Sequence, residues 1–171
     1  VRRPIRYTDK LTQPAGQAQA DTSAEVAQAL GLQGSGAQRA RLARARLSAG
    51  QQPFAKASTE LADVITKLRS AGPAAQLALG QALVAQGELL TANGRAAEAA
   101  SLLDEAVKLR EKVMWEQSWE LAEARARLGE AQVAAGKTEG KQLIEQSIKT
   151  LESQLGRDHP QTTRARSAIA M

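Results

Sequence analysis

The single histidine of the sequence, His159, is the first residue to consider for catalysis, because it lies directly after Asp158. A His–Asp pair can serve a nucleophilic serine, but two adjacent residues say little about the geometry that such a triad needs. Pro160 follows at once, and proline favours the first turn of a helix. We therefore interpret these residues as the shaping of a loop and the start of a helix, and we predict no catalytic residue.

Four glutamates, at positions 116, 120, 123 and 130, are spaced for one side of a helix. Paired carboxylates can perform general acid–base chemistry. However, Glu123 precedes Arg127 by four residues, which is the favourable order for an ion pair on a helix surface. We therefore expect solvated helix charge here rather than an active site.

Residues for metal and cofactor chemistry are scarce. Cysteine is absent and histidine occurs once, which excludes thiolate zinc sites and multi-histidine sites. The glycines at 31, 34 and 36 lack both a preceding strand and a following Lys-Ser/Thr, so they do not form a phosphate-binding loop. The sequence predicts no metal, no cofactor and no enzymatic activity.

The basic charge lies in the N-terminal third. Residues 1–50 contain eight Lys/Arg and three Asp/Glu, which accounts for the whole net charge of +5. Four arginines lie on two opposite sides of the predicted helix 37–49: Arg39 and Arg46 on one side, Arg41 and Arg44 on the other. No aromatic residue is interleaved with them. Nucleic-acid binding needs cations on one face, so we interpret these arginines as solvated side chains and residues 1–20 as a basic tail. The alternative is nucleic-acid contact through this third of the chain.

Two tryptophans, Trp115 and Trp119, are half of the aromatic residues and lie four positions apart. If the intervening turn is helical, the two side chains share a face. We favour a plug between two helical units. The alternative is an exposed anchor for a partner, since tryptophan is enriched at interface hot spots.

Composition predicts an all-α fold. The chain has 171 residues, of which 35 are alanine and 20 are leucine. Alanine favours helix, whereas the β-branched and aromatic residues that strands prefer are scarce. The longest uncharged run, 70–87, is broken by Pro73, glycines and glutamines, so we expect no membrane span.

Internal repetition is the main signal in the chain. Gly50, Gly94 and Gly136 each end one helical stretch and precede another, at spacings of 44 and 42. Small residues follow at matching offsets, with one residue missing in the third unit: Ala55 and Ala62, Ala99 and Ala106, Gly140 and Ser147. Such residues allow two antiparallel helices to cross closely, so three helical pairs are predicted.

The predicted organisation has two parts. Residues 1–36 form a basic lead-in with a short capping helix at about 22–30, where Thr22 and Glu25 fit a capping box. Residues 37–171 form the repeat domain. Its predicted helices pair as 37–49 with 53–70, 75–93 with 96–113, and 118–135 with 139–154, and 160–170 closes the array.

Two segments resemble kinesin-light-chain-type tetratricopeptide repeats. Residues 102–113, LLDEAVKLREKV, look like the second helix of such a repeat, and residues 155–162, LGRDHPQT, resemble the loop between repeats. The period of about 42 is also similar. The resemblance covers residues 37–171, although the loop at 114–120 reads MWEQSWE instead.

The resemblance implies a right-handed superhelix of helical pairs that binds a peptide or protein surface in its concave groove. It also implies a module of a larger signalling or regulatory protein, such as a bacterial serine/threonine kinase or a transcriptional regulator. First helices line the groove in that family. The corresponding groove residues are Arg41, Arg44, Gln81, Val84, Glu88, Glu123, Ala126, Arg127 and Glu130.

The N-terminal residues indicate how the chain begins. Val1 stands where an initiating methionine would be, and arginines rather than an apolar stretch follow it. We therefore expect a processed or engineered start, taken from a longer protein in the cytoplasm.

Overall fold

A computed structural model describes residues 53–170 of the chain. The predicted helices 22–30 and 37–49, and the predicted domain boundary at residue 36, lie outside this range. The described part contains six α-helices and no strand, which confirms the all-α prediction. The helices are α1 (Phe54–Ser70), α2 (Gln76–Ala92), α3 (Ala96–Val113), α4 (Trp119–Ala134), α5 (Glu139–Leu155) and α6 (Pro160–Ile169).

The chain divides into two compact units, 1–78 and 79–171. In the first, the described part holds α1, whose buried stripe is Ala57, Leu61, Val64, Ile65 and Leu68. A 3₁₀ turn, Pro73–Ala75, leads into α2. None of the helices at 53–170 is both long and apolar enough to cross a bilayer.

The second unit is organised around α4. This helix packs against α3, α5 and α6, and α5 also packs against α6. The apolar core shared by α4, α5 and α6 contains Ala122, Ala126, Ile144, Leu151 and Ala165, with Trp119 packed against it. A helix with neighbours on several sides is buried around much of its circumference.

The turns of the two helical pairs that the structure describes in full use glycine as predicted. Gly94 and Gly136 have φ of 75° and 82°, a left-handed conformation that only glycine adopts without strain. The residue after each glycine donates its N–H to a carbonyl of the last helical turn, at 2.9 Å for Arg95 to Leu90 and 2.8 Å for Lys137 to Gln132. Glycine therefore ends α2 and α4 in the usual manner of helix C-termini.

The helices cross closely where small residues lie, which confirms the packing predicted for the third pair. A Cβ atom on Gly129 would lie 2.6 Å from the Gly140 carbonyl oxygen, and one on Gly140 would lie 2.5 Å from that of Gly129. Real Cβ atoms do not approach backbone oxygens so closely. In the second pair, Gly87 faces Leu103 instead, whose Cγ would be 2.5 Å from an added Cβ.

The predicted register of the first pair is wrong. Counting from Gly50 makes Ala55 and Ala62 equivalent to Ala99 and Ala106, but both are exposed. The buried positions instead repeat at intervals of 42 and 41 residues. The equivalent sets are Ala57, Ala99 and Gly140; Leu61, Leu103 and Ile144; Val64, Ala106 and Ser147; Leu68, Arg110 and Leu151. Burial fixes the register of a helix, whereas the length of a turn can vary.

Candidate functional site

Two surfaces were predicted to contact a partner. One is the groove, and the other is the tryptophan loop, residues 114–118, which carries Trp115. Of the groove residues, Arg41 and Arg44 lie outside the described range. Gln81 is exposed, whereas Val84 and Ala126 are each 1% exposed and serve as core residues. The remaining groove residues are charged, and each of them has a partner within the chain.

Glu123 and Arg127 do not form the expected surface ion pair with each other. Both are buried, at 7% and 2% exposure. Glu123 pairs with Arg110 of α3, with 3.3 Å between Oε2 and a guanidinium nitrogen. Arg127 pairs with Glu88 of α2 and with Glu130 one turn along α4. Tertiary packing turned these side chains toward other helices, which the spacing along one helix does not reveal.

A closed ring of four charges joins α2, α4 and α6. Glu88 Oε1 lies 2.7 Å from Arg127 Nε and 2.9 Å from one nitrogen of Arg164, whose other nitrogen lies 3.2 Å from Glu130 Oε2. The contact between Arg127 and Glu130 completes the ring, and Gln161 also accepts a hydrogen bond from Arg127. We call Glu88, Arg127, Glu130 and Arg164 the charge ring.

The charge ring brings three predicted groove residues together and satisfies them internally. Alternating charges around the ring leave it with no net charge. Sequence reasoning missed Arg164, which is separated from Glu88 by 76 positions. No local spacing signals such a contact, because its geometry depends on how three helices pack.

The tryptophan pair is split by the fold. Residues 114–118 are not helical, and Ser118, directly before α4, is extended with φ of −69° and ψ of 138°, so the two rings do not share a helix face. Trp119 begins α4 and packs against the apolar core. Trp115 is 62% exposed, and nearby Val113 is 41% exposed. Trp119 therefore packs on the core shared by α4, α5 and α6, and Trp115 has the exposure expected of an anchor.

Several contacts hold the loop 114–118 that carries Trp115. Ser118 caps α4 by accepting a hydrogen bond from the Leu121 N–H at 3.3 Å. Arg125 of α4 reaches Glu111 at 3.0 Å and Glu116 at 3.4 Å, so it bridges the end of α3 and the loop. The loop is thus anchored from both flanking helices.

Arg110 is the second residue that sequence reasoning did not assign to a site. It is 2% exposed, and it donates hydrogen bonds to the Glu120 carbonyl oxygen and to Glu123. The periodicity of residues 96–113 could have indicated it, since Arg110 falls among the buried positions of α3 with Leu103 and Ala106. Gly80 of α2 makes room for its side chain, because a Cβ there would lie 3.3 Å from Arg110 Cγ.

His159 caps α6, since its Nδ1 accepts a hydrogen bond from the Gln161 N–H at 3.3 Å. This is the structural position expected from the sequence. Residues 53–170 contain no cluster of three or more side chains that could ligate a metal ion.

Comparison with known proteins adds no identification. Neither a protein-family model nor a curated protein matches the chain. The resemblance to tetratricopeptide repeats therefore depends on the two quoted segments and the repeat period alone.

Proposed function

We propose that the chain is a non-enzymatic protein-interaction module, built as a tetratricopeptide-like right-handed superhelix, which binds its partner through the loop that presents Trp115. The observation that carries the proposal is the 62% exposure of Trp115 on a loop anchored from both sides. A large aromatic side chain held in water is costly to a fold and useful at an interface.

The repeat architecture is supported by the periodic burial of α1, α3 and α5 at intervals of 42 and 41 residues, and by the tight glycine turns after α2 and α4. Arrays of this kind act by presenting surfaces rather than by catalysis. As the resemblance implies, we place the module within a larger signalling or regulatory protein, for which we expect a cytoplasmic location.

The Trp115 loop is a better candidate than the groove. The groove charges Glu88, Arg127 and Glu130 already have partners in the charge ring. A ligand that used them would first have to break those contacts, which reduces its net binding energy. Trp115 and Val113, by contrast, offer apolar area that a partner can cover directly.

Site-specific crosslinking tests the proposed function. A photoreactive amino acid replaces Gln117, an exposed residue of the same loop, so that a partner bound over Trp115 is captured covalently. We expect Trp115→Ala to lose at least about 90% of this capture, which is the tenfold change that 1.4 kcal/mol produces. Leu77→Ala is the matched control, because it removes a 46% exposed leucine of α2, and it should capture the partner as the wild type does.

The groove has its own variant in the same experiment. Glu130→Gln removes one charge from the ring while preserving the size of the side chain. Equal capture by wild type and Trp115→Ala, together with loss in Glu130→Gln, would assign binding to the groove instead of the loop.

A further inference from the structure

Among the positions that repeat along α1, α3 and α5, one differs sharply in chemistry. Leu68 and Leu151 are buried leucines, each 1% exposed, and the equivalent residue of α3 is Arg110. A charged side chain therefore occupies a position that two other helices fill with hydrocarbon. Its Nε has no hydrogen-bond partner among the residues that the structure describes.

Stability alone does not account for this arginine. Removing a guanidinium and a carboxylate from water costs several kcal/mol, and apolar replacements of buried ion pairs are often neutral or stabilising. The leucines of α1 and α5 show that an apolar residue fits the same position in this fold. The contacts that Arg110 makes with neighbouring residues therefore have to explain its presence.

Arg110 contacts both ends of the tryptophan loop. Its carbonyl oxygen accepts a hydrogen bond from the Met114 N–H at 2.8 Å, at the point where α3 ends. Its guanidinium donates to the Glu120 carbonyl oxygen in the first turn of α4, and to Glu123 one turn later. Trp115 lies between these two attachments. A leucine could make the first of them but not the second.

We propose that Arg110 is a positioning residue, which fixes the 114–118 loop so that Trp115 is presented in one orientation to the partner. The inference rests on the proposed function, because it assigns Trp115 as the anchor. A loop ordered before binding does not lose that conformational entropy on association, so its affinity rises without any additional contact.

Glu123 is the buried carboxylate that accepts a hydrogen bond from Arg110. The variant Arg110→Leu/Glu123→Gln gives position 110 the residue that α1 and α5 have there, keeps the size of the side chain at position 123, and leaves no unpaired buried charge. The matched control is Arg166→Leu/Glu152→Gln, which removes a more exposed Arg–Glu pair between α5 and α6, with its nitrogen and oxygen 3.6 Å apart.

The experiment places both double variants in a Trp119→Phe background, where Trp115 is the sole tryptophan of the full chain. Time-resolved fluorescence anisotropy reports the local motion of Trp115, and urea unfolding reports stability. We expect the fast component of Trp115 motion to increase about twofold in Arg110→Leu/Glu123→Gln, because the contacts of Arg110 with Glu120 and Glu123 are lost. The control variant should leave Trp115 unchanged.

A purely structural role predicts the opposite pattern, in which the unfolding midpoint falls and the motion of Trp115 stays as in the control. That result overturns the inference. Arg110→Lys supplies a second test, because it retains the charge on a shorter side chain, whose ammonium would have to reach the two acceptors that one terminal nitrogen of Arg110 contacts. We expect its Trp115 motion to lie between those of the wild type and the double variant, and a value equal to the wild type also overturns the inference.

The fluorescence experiment requires no partner, so the two proposals can fail separately. Increased Trp115 motion with partner capture that does not depend on Trp115 would refute the proposed function and leave the positioning of the loop. Capture that depends on Trp115, with unchanged Trp115 motion, would refute the positioning role of Arg110 alone. If both hold, partner affinity in the double variant falls about tenfold.

Discussion

The α3–α4 and α5–α6 junctions solve the same connection problem with different chemistry. At α3–α4, the buried Arg110 reaches across to the first turn of α4. At α5–α6, the equivalent Leu151 joins the apolar core, and Gly156 turns the chain with φ of 90°. The first junction is held by buried polar contacts, and the second by apolar packing, a glycine turn and the more exposed ion pairs of Glu152 with Arg157 and Arg166.

The two junctions also differ in the side chains that their loops expose. Both loops are short, and both following helices have an N-terminal cap, from Ser118 and His159 respectively. Of these two loops, only the one between α3 and α4 carries a large exposed aromatic residue, Trp115. The glycine loop presents instead small or charged side chains, among them Arg157 and Asp158, which are exposed.

Exchanging the core residue of the apolar junction should have the largest effect. Leu151→Arg buries a cation at a position that is 1% exposed, without a carboxylate placed like Glu123 to receive it. We expect a loss of about 3–5 kcal/mol in the free energy of unfolding, measured by urea denaturation. Leu151→Met should lose less than about 1.5 kcal/mol. Similar losses in the two variants would show that the two junctions tolerate charge alike.

Removing the turn glycine of the same junction should have an intermediate effect. Gly156→Ala forces a Cβ into a backbone conformation at φ of 90° and ψ of 164°, although open space surrounds the glycine. Backbone strain alone therefore destabilises the chain, by about 1–3 kcal/mol. Gln117→Ala, in the loop without positive φ, is the counterpart and should change thermal unfolding little. Equal shifts in melting temperature would contradict the distinction between the loops.

The helix caps should give the smallest effect. Ser118→Ala removes the acceptor for the Leu121 N–H, at a site that is 4% exposed. We expect about 1 kcal/mol of destabilisation in chemical denaturation. His159→Ala removes the corresponding acceptor at α6, where solvent reaches the cap more readily, and should cost less. The reverse order would indicate that Ser118 is not an effective cap.

Local sequence patterns were sufficient for the helices, because each depends on its own periodicity and on the turn glycines. All six predicted helices at 53–170 lie within one or two residues of their expected bounds. The predicted register of α1 was wrong, because it was counted from the glycine at position 50 and the length of a turn can vary. The buried positions from Ala57 to Leu68 give the correct register.

The site was less accessible to sequence reasoning. The spacing of Glu123 and Arg127 suggested a local pair, yet both are engaged by residues of other helices, Arg110 and Glu88. A helix surface offers charged side chains several partners at similar cost, and tertiary contacts decide between them. Trp115 is separated from Trp119 by non-helical residues, and its exposure depends on tertiary packing, which local patterns do not show.

The charge ring has a consequence for how the second unit unfolds. In a linear array, each helical pair contacts only its neighbours, so terminal helices can fray independently. Arg164 joins α6 directly to Glu88 of α2, bypassing the intervening pair. Loss of α6 would therefore break contacts of a residue that lies 76 positions earlier in the chain. Hydrogen exchange in α6 should then report cooperative opening of the unit rather than fraying of its end.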